Sequence, residues 1–288
     1  KFEAETPTTT HTQTEQQMTT QNVTLTKTKP ANGFVLARST GTNGTPVVTI
    51  VTIDSANAKT GPMLQTWILS DGDQTPHECT LDGSDACICG GCKHRGARSL
   101  RASGYDASQA ISEARTCYVR TYHAPNSVYR ANRRNVYPDY SAEFADDSVD
   151  LTQVLPAKLL AKLAAKLVRA GSYGDPALVS AKVWERLKSV CKPQGSTGYT
   201  HMWTSETIDP QLKHHLMASA DSTTEATQAR AMGWRTFRVM QPNDTLDAKT
   251  EVLCPASAEG GRKATCATCL LCAGTSSKST KSVAIYIH

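Results

Sequence analysis

The second half of the chain alternates short apolar segments with segments of helical periodicity, and this alternation constrains the fold more than any other feature of the sequence. Each apolar segment is followed by a glycine-rich or polar turn and a capped helix. The pattern predicts strands at residues 168–173, 198–203, 217–221, 234–240 and 282–287. Successive strand–helix units favour parallel strands joined by right-handed crossovers. We therefore predict an α/β fold, as a (β/α) barrel, a partial barrel or an open doubly wound sheet.

The first half of the sequence has a less regular pattern of apolar residues. It predicts strands at residues 33–38, 46–53 and 63–69, and the second of these is apolar on both faces, which is typical of a strand covered on both sides. Leucines at helical spacing predict an amphipathic helix over 156–170, with a lysine face that is solvated or, as the alternative, contacts nucleic acid. Asp175 is placed to cap a helix that begins at Pro176.

Residues 1–30 are dominated by Thr, Gln and Glu, with few apolar groups to offset the entropy of ordering. We predict a tail there and a single domain over 31–288. The chain has 288 residues, of which 39% are hydrophobic, so it can bury a substantial core.

A net charge of +5 is weak evidence for a nucleic-acid partner. No apolar run is long enough to cross a membrane, so we expect no membrane partner.

Four cysteines near the C-terminus predict a metal centre. Cys266, Cys269 and Cys272 form a C-x2-C-x2-C run that resembles iron–sulfur ligation, with Cys254 left for the fourth position. Zinc sites more often use two separated CxxC pairs, so we predict a [4Fe-4S] cluster and keep zinc as the alternative.

A second group of thiols lies upstream. Cys89 and Cys92 form a CxxC with two intervening glycines, and Cys117 completes a three-thiolate set. Three protein ligands would leave one iron of a cluster open, whereas recruiting Cys87 or His94 would close the site. The cysteine-rich loops 79–117 and 254–272 thus form a metal-binding elaboration of the predicted domain. Disulfides are an alternative, although oxidised frameworks usually belong to smaller secreted chains.

Polar residues cluster at the carboxyl ends of the predicted strands, where parallel α/β folds bind their ligands. We expect catalytic roles for Asp175, His201 and Asp221. Cofactor contacts are expected from Tyr173, Thr200 and Arg238. Each residue has a structural alternative: Asp175 as a helix cap, for example, or His201 as a metal ligand or a buried, hydrogen-bonded histidine.

Eight segments carry a resemblance to a known family: residues 60–69, 88–95, 117–119, 171–176, 197–201, 217–222, 233–239 and 254–257. They are similar to phage- and plasmid-encoded proteins related to the phage gene product 88-like group. The resemblance implies a phage or mobile-element origin. With no membrane-spanning run and no signal-peptide pattern in the sequence, we expect a location in the host cytoplasm, with the virion as the alternative. Some relatives carry the label of a rolling-circle replication initiator, but the His-hydrophobe-His motif of such initiators is absent here. Cys87 looks like an addition to the family's pattern.

The order of an early cysteine group followed by βα units also looks like a distant relation to radical S-adenosylmethionine barrels. That resemblance implies S-adenosylmethionine as a cofactor, although the usual CxxxCxxC is absent. The leading hypothesis is an iron–sulfur enzyme with a barrel-type active site of unknown substrate. The alternatives are a zinc- or cluster-stabilised protein that binds nucleic acid in replication, and a virion-associated structural protein with a phage assembly partner.

Overall fold

A nine-stranded mixed sheet organises the part of the chain that the computed structural model describes, residues 31–193, 195–277 and 279–287. The predicted tail, residues 1–30, lies outside the described residues. The strands are β1 (Gly33–Thr40), β2 (Pro46–Thr52), β3 (Leu64–Ser70), β4 (Val168–Tyr173), β5 (Ser196–Thr200), β6 (Met217–Ala220), β7 (Thr236–Met240), β8 (Glu251–Leu253) and β9 (Ser282–Tyr286). Their order is β1-β2-β3-β4-β5-β6-β7-β9-β8.

The sheet has an antiparallel part and a parallel part. Strands β1, β2 and β3 pair antiparallel, and every pairing from β3 to β8 is parallel. Strands β4 to β7 lie side by side in chain order, as expected when each helical crossover returns the chain to the neighbouring position. The α/β class is confirmed. Strands β1 and β8 are the two edges, so the sheet is open and not closed into a barrel.

Ten α-helices connect the strands within the described residues. They are α1 (Pro76–Asp82), α2 (Ala86–Cys89), α3 (Ala97–Ala102), α4 (Ala124–Arg133), α5 (Ser141–Ala145), α6 (Leu151–Val154), α7 (Ala157–Ala164), α8 (Ala181–Ser189), α9 (Thr223–Ala231) and α10 (Cys266–Cys269). Short 3-10 helices occupy Lys93–Arg95, Ala107–Gln109, Pro176–Leu178, Met202–Thr204, Pro210–His214 and Gly274–Ser276.

The amphipathic helix is shorter than its leucine pattern predicts. Helix α7 ends at Ala164, and Val168 already pairs with Leu64 of β3. The leucine repeat runs on to Leu167 because that side chain is buried where the chain enters β4. Spacing alone does not separate the last turn of a buried helix face from the first residue of a buried strand.

The helix expected to start at Pro176 is also divided. Asp175 caps only the 3-10 turn Pro176–Leu178, by accepting a hydrogen bond from the N–H of Ala177. Ser180 then caps α8 through the N–H of Val183. Two capping residues five positions apart therefore begin two separate helices.

The two faces of the parallel sheet carry different cores. On one face, Ala218 of β6 shares a large apolar cluster with Ala229 of α9. On the other face, Met217, Val283 and Ile285 form a smaller cluster that includes thiols of the C-terminal cysteine loop. Alternate residues of a strand point to opposite faces, so this second face carries every other residue of each parallel strand. It faces the cavity described below.

Candidate functional site

One cavity of about 420 Å³ brings the two predicted cysteine sets together. All seven cysteines expected as metal ligands line it: Cys89, Cys92, Cys117, Cys254, Cys266, Cys269 and Cys272. Its floor is formed by inward-facing residues of the parallel strands, among them Tyr199, Ser219 and Phe237. Residues of both thiol-carrying loops line this space. All ten cysteines of the chain are free.

The upstream thiols are positioned by a loop that follows β3 and folds back over the strand ends. Helix α2 ends at Cys89, and Gly90 adopts a positive φ of 52°, a region that favours glycine, so that the chain reverses before Cys92. Cys117 is brought alongside by its N–H, which donates to the carbonyl of His94 at 3.1 Å. Local turns thus place Cys89 and Cys92, whereas a contact across the loop places Cys117.

A buried arginine holds this loop together. Arg95 donates to Asp85 Oδ1 at 2.9 Å and to the carbonyl oxygens of Gly90 and Gly83 at 2.8 and 2.6 Å. Arg115 donates to the other carboxylate oxygen of Asp85, also at 2.9 Å. The side chain of Asp85 is fully buried, so the pair of guanidinium groups supplies its only charge compensation among the ion pairs of the described residues. This network fixes the backbone between Gly83 and Arg115 around the thiols.

The C-terminal thiols are held by docking to other elements. The N–H of Cys254 donates to Ala284 in β9 at 2.8 Å, and the N–H of Cys266 donates to the carbonyl of Lys59 at 3.1 Å. The carbonyl of Cys272 accepts from Gly198 of β5 at 3.3 Å. The loop after β8 is therefore tied to three separate parts of the chain.

The thiols are near enough to interact electrostatically within each set. Burial is the main cause that raises the pKa of Cys272 to about 12, and repulsion from the thiolates of Cys254, Cys266 and Cys269 adds to it. In the upstream set burial raises the pKa of Cys89 well above its ordinary value, and Cys92 and Cys117 add repulsion. Without a cation, Cys272 and Cys89 stay protonated at neutral pH. A bound metal ion reverses this preference, because its charge stabilises thiolate.

Two arginines, Arg169 buried and Arg115 half-buried, place positive charge beside the thiols. Burial opposes the charge of Arg115, but Cys117, Cys89 and Asp85 outweigh it and raise its pKa. Burial likewise opposes the charge of Arg169, whereas Tyr118, Tyr199 and Cys266 raise its pKa. Both side chains line the cavity, and the Nε of each is buried without a hydrogen-bond partner. Each cysteine set therefore has one permanent cation next to it.

The predicted catalytic residues His201 and Asp221 meet a third residue, His94, at the wall of the cavity. His94 Nε2 lies 3.0 Å from Asp221 Oδ1, and His201 Nε2 lies 3.8 Å from Asp221 Oδ2. Burial disfavours the Asp221 carboxylate, but the hydrogen bond from His94 and the charges of His201, His94 and Lys93 outweigh it, so its pKa is lowered. Within the described residues, this is the one group of three His, Cys, Asp or Glu side chains whose ligand atoms all lie within 4.8 Å of one another.

Two other predicted site residues, Tyr173 and Asp175, also line the cavity. The hydroxyl of Tyr173 is buried without a hydrogen-bond partner. Asp175 caps the turn at Pro176 and accepts from the N–H of His201 at 2.9 Å, so both the capping and the site interpretations fit it. Burial raises the pKa of Asp175.

The structure does not bring Thr200 or Arg238 to the cavity wall. Thr200 Oγ1 accepts from the N–H of Met202 and so starts the turn that carries His201 past the end of β5. Arg238 points to the opposite face of β7, where it forms a buried ion pair with Glu251 at 2.7 Å. Phe237 and Val239, its neighbours in the strand, are the residues that face the cavity. The expected cofactor contact from Arg238 is therefore replaced by a structural ion pair.

The pattern of the sequence missed three residues of the site. The sequence pattern predicts His94 only as an extra ligand beside the upstream thiols, and it predicts no role for Arg115 or Arg169. The segment Lys93-His94-Arg95 directly after the CxxC is the one local indication, because residues next to a ligand motif follow it into the site.

A second, more polar cavity of about 780 Å³ lies on the other side of this wall. Cys89, His201 and Ser219 line both cavities, and Asp221 lines the second. Lys93 and Glu225 face the second cavity as an ion pair, and Glu225 also accepts from the N–H of Asp221 at 2.6 Å. The two-histidine and aspartate group thus stands between an apolar, thiol-lined space and a polar one.

In the described part of the chain, no helix is both long enough and apolar enough to span a membrane. No family model, curated protein or solved structure matches the chain.

Proposed function

We propose that this chain is an iron–sulfur protein with two cluster sites in the open cavity of a partial (β/α) barrel. One site is Cys89, Cys92 and Cys117, and the other is Cys254, Cys266, Cys269 and Cys272. The observation that carries the proposal is that all seven thiols, from two distant loops, line a single cavity. Thiols that served only packing would have no reason to converge on a space that the side chains leave open.

The spacing of the thiols favours a cluster over a single zinc ion. Zn–S bonds of about 2.3 Å place the sulfurs of a tetrahedral site about 3.8 Å apart. Among the described residues, no three thiols have sulfurs that all lie within 4.8 Å of one another. A cluster of several iron ions spans a wider set of sulfurs than one ion does. Each thiol set is therefore wider than one zinc ion requires, and we propose a [4Fe-4S] cluster with zinc as the alternative.

The two sites differ in the number of ligands. Four thiols complete a cluster, so the C-terminal site is suited to a structural or electron-transfer role. Three thiols leave one iron open to a substrate or cofactor, which makes the upstream site the candidate for reaction. A bound cluster would supply electron transfer and a coordination position for a ligand. Arg115 and Arg169 would offset the negative charge of the thiolate-ligated clusters and hold it in a buried space.

The location of the upstream site also supports a barrel-type active site. The upstream thiols follow β3, the first strand of the parallel series, and the cavity lies against the inner face of the parallel strands. S-adenosylmethionine stays a prediction as the ligand of the open iron, as does an origin in phage or a mobile element. The volume of about 420 Å³ is within the range of small-molecule sites.

The test is iron and acid-labile sulfide analysis, with a visible absorption spectrum, on the full chain purified without oxygen. We expect iron and sulfide near eight per chain for two clusters. Cys269→Ala should remove about half of both and lower the stability, because a bound metal centre stabilises the folded state. Cys191→Ala is the matched control, since Cys191 is a buried thiol outside the cavity lining and should leave iron unchanged.

Zinc without sulfide would contradict the proposal and favour a zinc-stabilised nucleic-acid-binding protein, to be checked by the salt dependence of DNA retention. Unchanged iron in Cys269→Ala would remove the C-terminal site. Protein free of both metals that copurifies with phage particles would favour the virion interpretation.

A further inference from the structure

The group formed by His94, His201 and Asp221 suits a metal ion of its own, separate from the thiols. Each residue offers one nitrogen or oxygen atom, and two atoms that bind one ion at about 2.0–2.2 Å in tetrahedral geometry lie about 3.4 Å apart. His94 Nε2 lies 3.0 Å from Asp221 Oδ1, His201 Nε2 lies 3.8 Å from Asp221 Oδ2, and one ligand atom from each of the three residues lies within 4.8 Å of the other two. The separation of 3.8 Å is too long for a direct hydrogen bond. A shared ion would replace the hydrogen bond that joins His94 to Asp221, and it would also account for the approach of His201.

Each of the three candidate ligands is also oriented by a hydrogen bond to a group outside the three. His94 Nδ1 lies 2.8 Å from Thr116 Oγ1, which turns Nε2 toward Asp221. The backbone N–H of His201 donates to Asp175, and the backbone N–H of Asp221 donates to Glu225. His94 therefore has its second ring nitrogen hydrogen-bonded, as metal-binding histidines in proteins usually do, and this contact fixes the orientation of the ring.

The position of these three residues in the fold also suits a metal site. His201 and Asp221 follow directly after β5 and β6, so the ends of two adjacent parallel strands deliver them to the same point. The side chains of Asp221 and His94 are 3% and 11% exposed, and that of His201 is 27% exposed. Two ligands are thus buried, and the third reaches the boundary of the polar cavity, from which an ion and water can enter.

We propose that His94, His201 and Asp221 bind a divalent first-row transition ion, such as Zn²⁺ or Fe²⁺, with at least one coordination position open to the polar cavity. Two imidazoles and one carboxylate are a donor set that suits these ions, and three protein ligands with an open position are typical of catalytic sites. The ion would lower the pKa of a bound water or polarise a substrate oxygen in the polar cavity. His201 and Asp221 would then act as ligands and not as proton-transfer groups.

The upstream cysteine set lies close to His201 but supplies no ligand to this group. Cys92 Sγ lies 3.9 Å from His201 Nε2, yet it is outside the group whose ligand atoms lie within 4.8 Å of one another. This proposal therefore does not depend on the iron–sulfur proposal, and the two predict different losses.

The experiment measures zinc on the full chain after equilibration with Zn²⁺ and desalting, alongside iron and sulfide. We expect His201→Gln and Asp221→Asn each to lose about one zinc per chain relative to the unmutated protein, with iron and sulfide unchanged. X-ray absorption at the zinc edge should show that the zinc lost in these variants had nitrogen and oxygen neighbours at about 2.0–2.1 Å, and no sulfur at about 2.3 Å.

Two further variants separate ligation from damage to the fold. Thr116→Val keeps the shape of the residue but removes the hydroxyl beside His94 Nδ1, and it should weaken zinc binding about 10- to 100-fold. His214→Gln is the matched control, because His214 Nδ1 contacts a threonine hydroxyl at 2.7 Å but lies outside both cavity linings. It should keep all of its zinc.

Equal zinc content in the unmutated protein and in His201→Gln would overturn this proposal, as would a zinc shell made only of sulfur. Absence of iron and sulfide from the unmutated protein, with the nitrogen and oxygen shell of the zinc present, would instead count against the cluster proposal alone.

Discussion

At the residue scale, Asp85 supports the candidate site without lining its cavity. It is fully buried and pairs with both Arg95 and Arg115, which come from different parts of the upstream cysteine loop. A buried ion pair contributes little net stability when intact, but removing one partner leaves an uncompensated charge. The loop geometry around Cys89 and Cys117 therefore depends on this carboxylate.

We expect Asp85→Ala to lower the free energy of unfolding by about 3–5 kcal/mol, because two guanidinium groups would lose their buried counter-charge. Urea unfolding followed by circular dichroism measures the change. Asp73→Ala is the control, since Asp73 is 95% exposed in its ion pair with Arg133 and its loss should be too small to resolve. Equal effects of the two substitutions would show that the buried network does not hold the loop.

The residue scale also shows where sequence reasoning works. Five of the seven predicted ligands, Cys89, Cys92, Cys266, Cys269 and Cys272, lie at intervals of two intervening residues, and this close spacing limits how far apart their sulfurs can lie. His94 and Arg169 have no such local relation to their partners. Asp221 is brought to His94 only by the folding of the upstream loop over the strand ends, and no periodicity encodes that contact.

At the scale of elements, the alternation of the strands decides which side chains reach the cavity. Phe237 and Val239 face it, and Arg238, between them, faces the other way and pairs with Glu251. The position of Arg238 late in a strand predicted a site role, but position along a strand does not fix the face. The face is set by register with β9, where Phe237 pairs with Val283 and Arg238 with Ala284.

The turn after β4 is the element on which the site depends most closely. Gly174 has a φ of 75°, and a Cβ there would lie 2.5 Å from the carbonyl oxygen of Ile68 in β3. Asp175, which fixes the N–H of His201, is the next residue. Any outward shift of this turn therefore moves a support of the site.

We predict that Gly174→Ala destabilises the fold more than Gly44→Ala does. Gly44 also has a positive φ, 86°, but a Cβ there meets nothing within 4 Å. Both substitutions cost about 1–2 kcal/mol for the left-handed conformation, and Gly174→Ala adds about 1–3 kcal/mol of overpacking. Chemical denaturation of the two variants measures the difference. A larger effect at Gly44 would contradict the close approach of the turn to β3.

At the scale of the whole molecule, the two cysteine loops connect parts of the chain that the sheet alone would leave independent. The C-terminal loop docks on Lys59 before β3 and on Gly198 in β5, and the upstream loop reaches Asp221 after β6. A metal centre in the cavity would therefore stabilise the parallel half of the sheet and both loops together.

We expect removal of the metal to lower the local stability of some parts of the molecule more than others. Hydrogen exchange should accelerate in residues 83–121 and 254–277, whereas β1 and β2 should keep their protection because they pair antiparallel away from the cavity. Mass spectrometry of the metal-loaded and stripped protein measures this. Uniform acceleration across the sheet would show that the metal supports the global fold, and no change would argue against metal in the cavity.

The sequence by itself determined the α/β class, most of the strands and the grouping of the cysteines into two sets, because these depend on periodicity and spacing within short segments. The tertiary structure decided that the sheet stays open, that both sets face one cavity, that Arg238 turns away and that His94 joins His201 and Asp221. Those features depend on register between strands and on how long loops fold over strand ends. Both are set by contacts between residues far apart in the chain, which local patterns do not record.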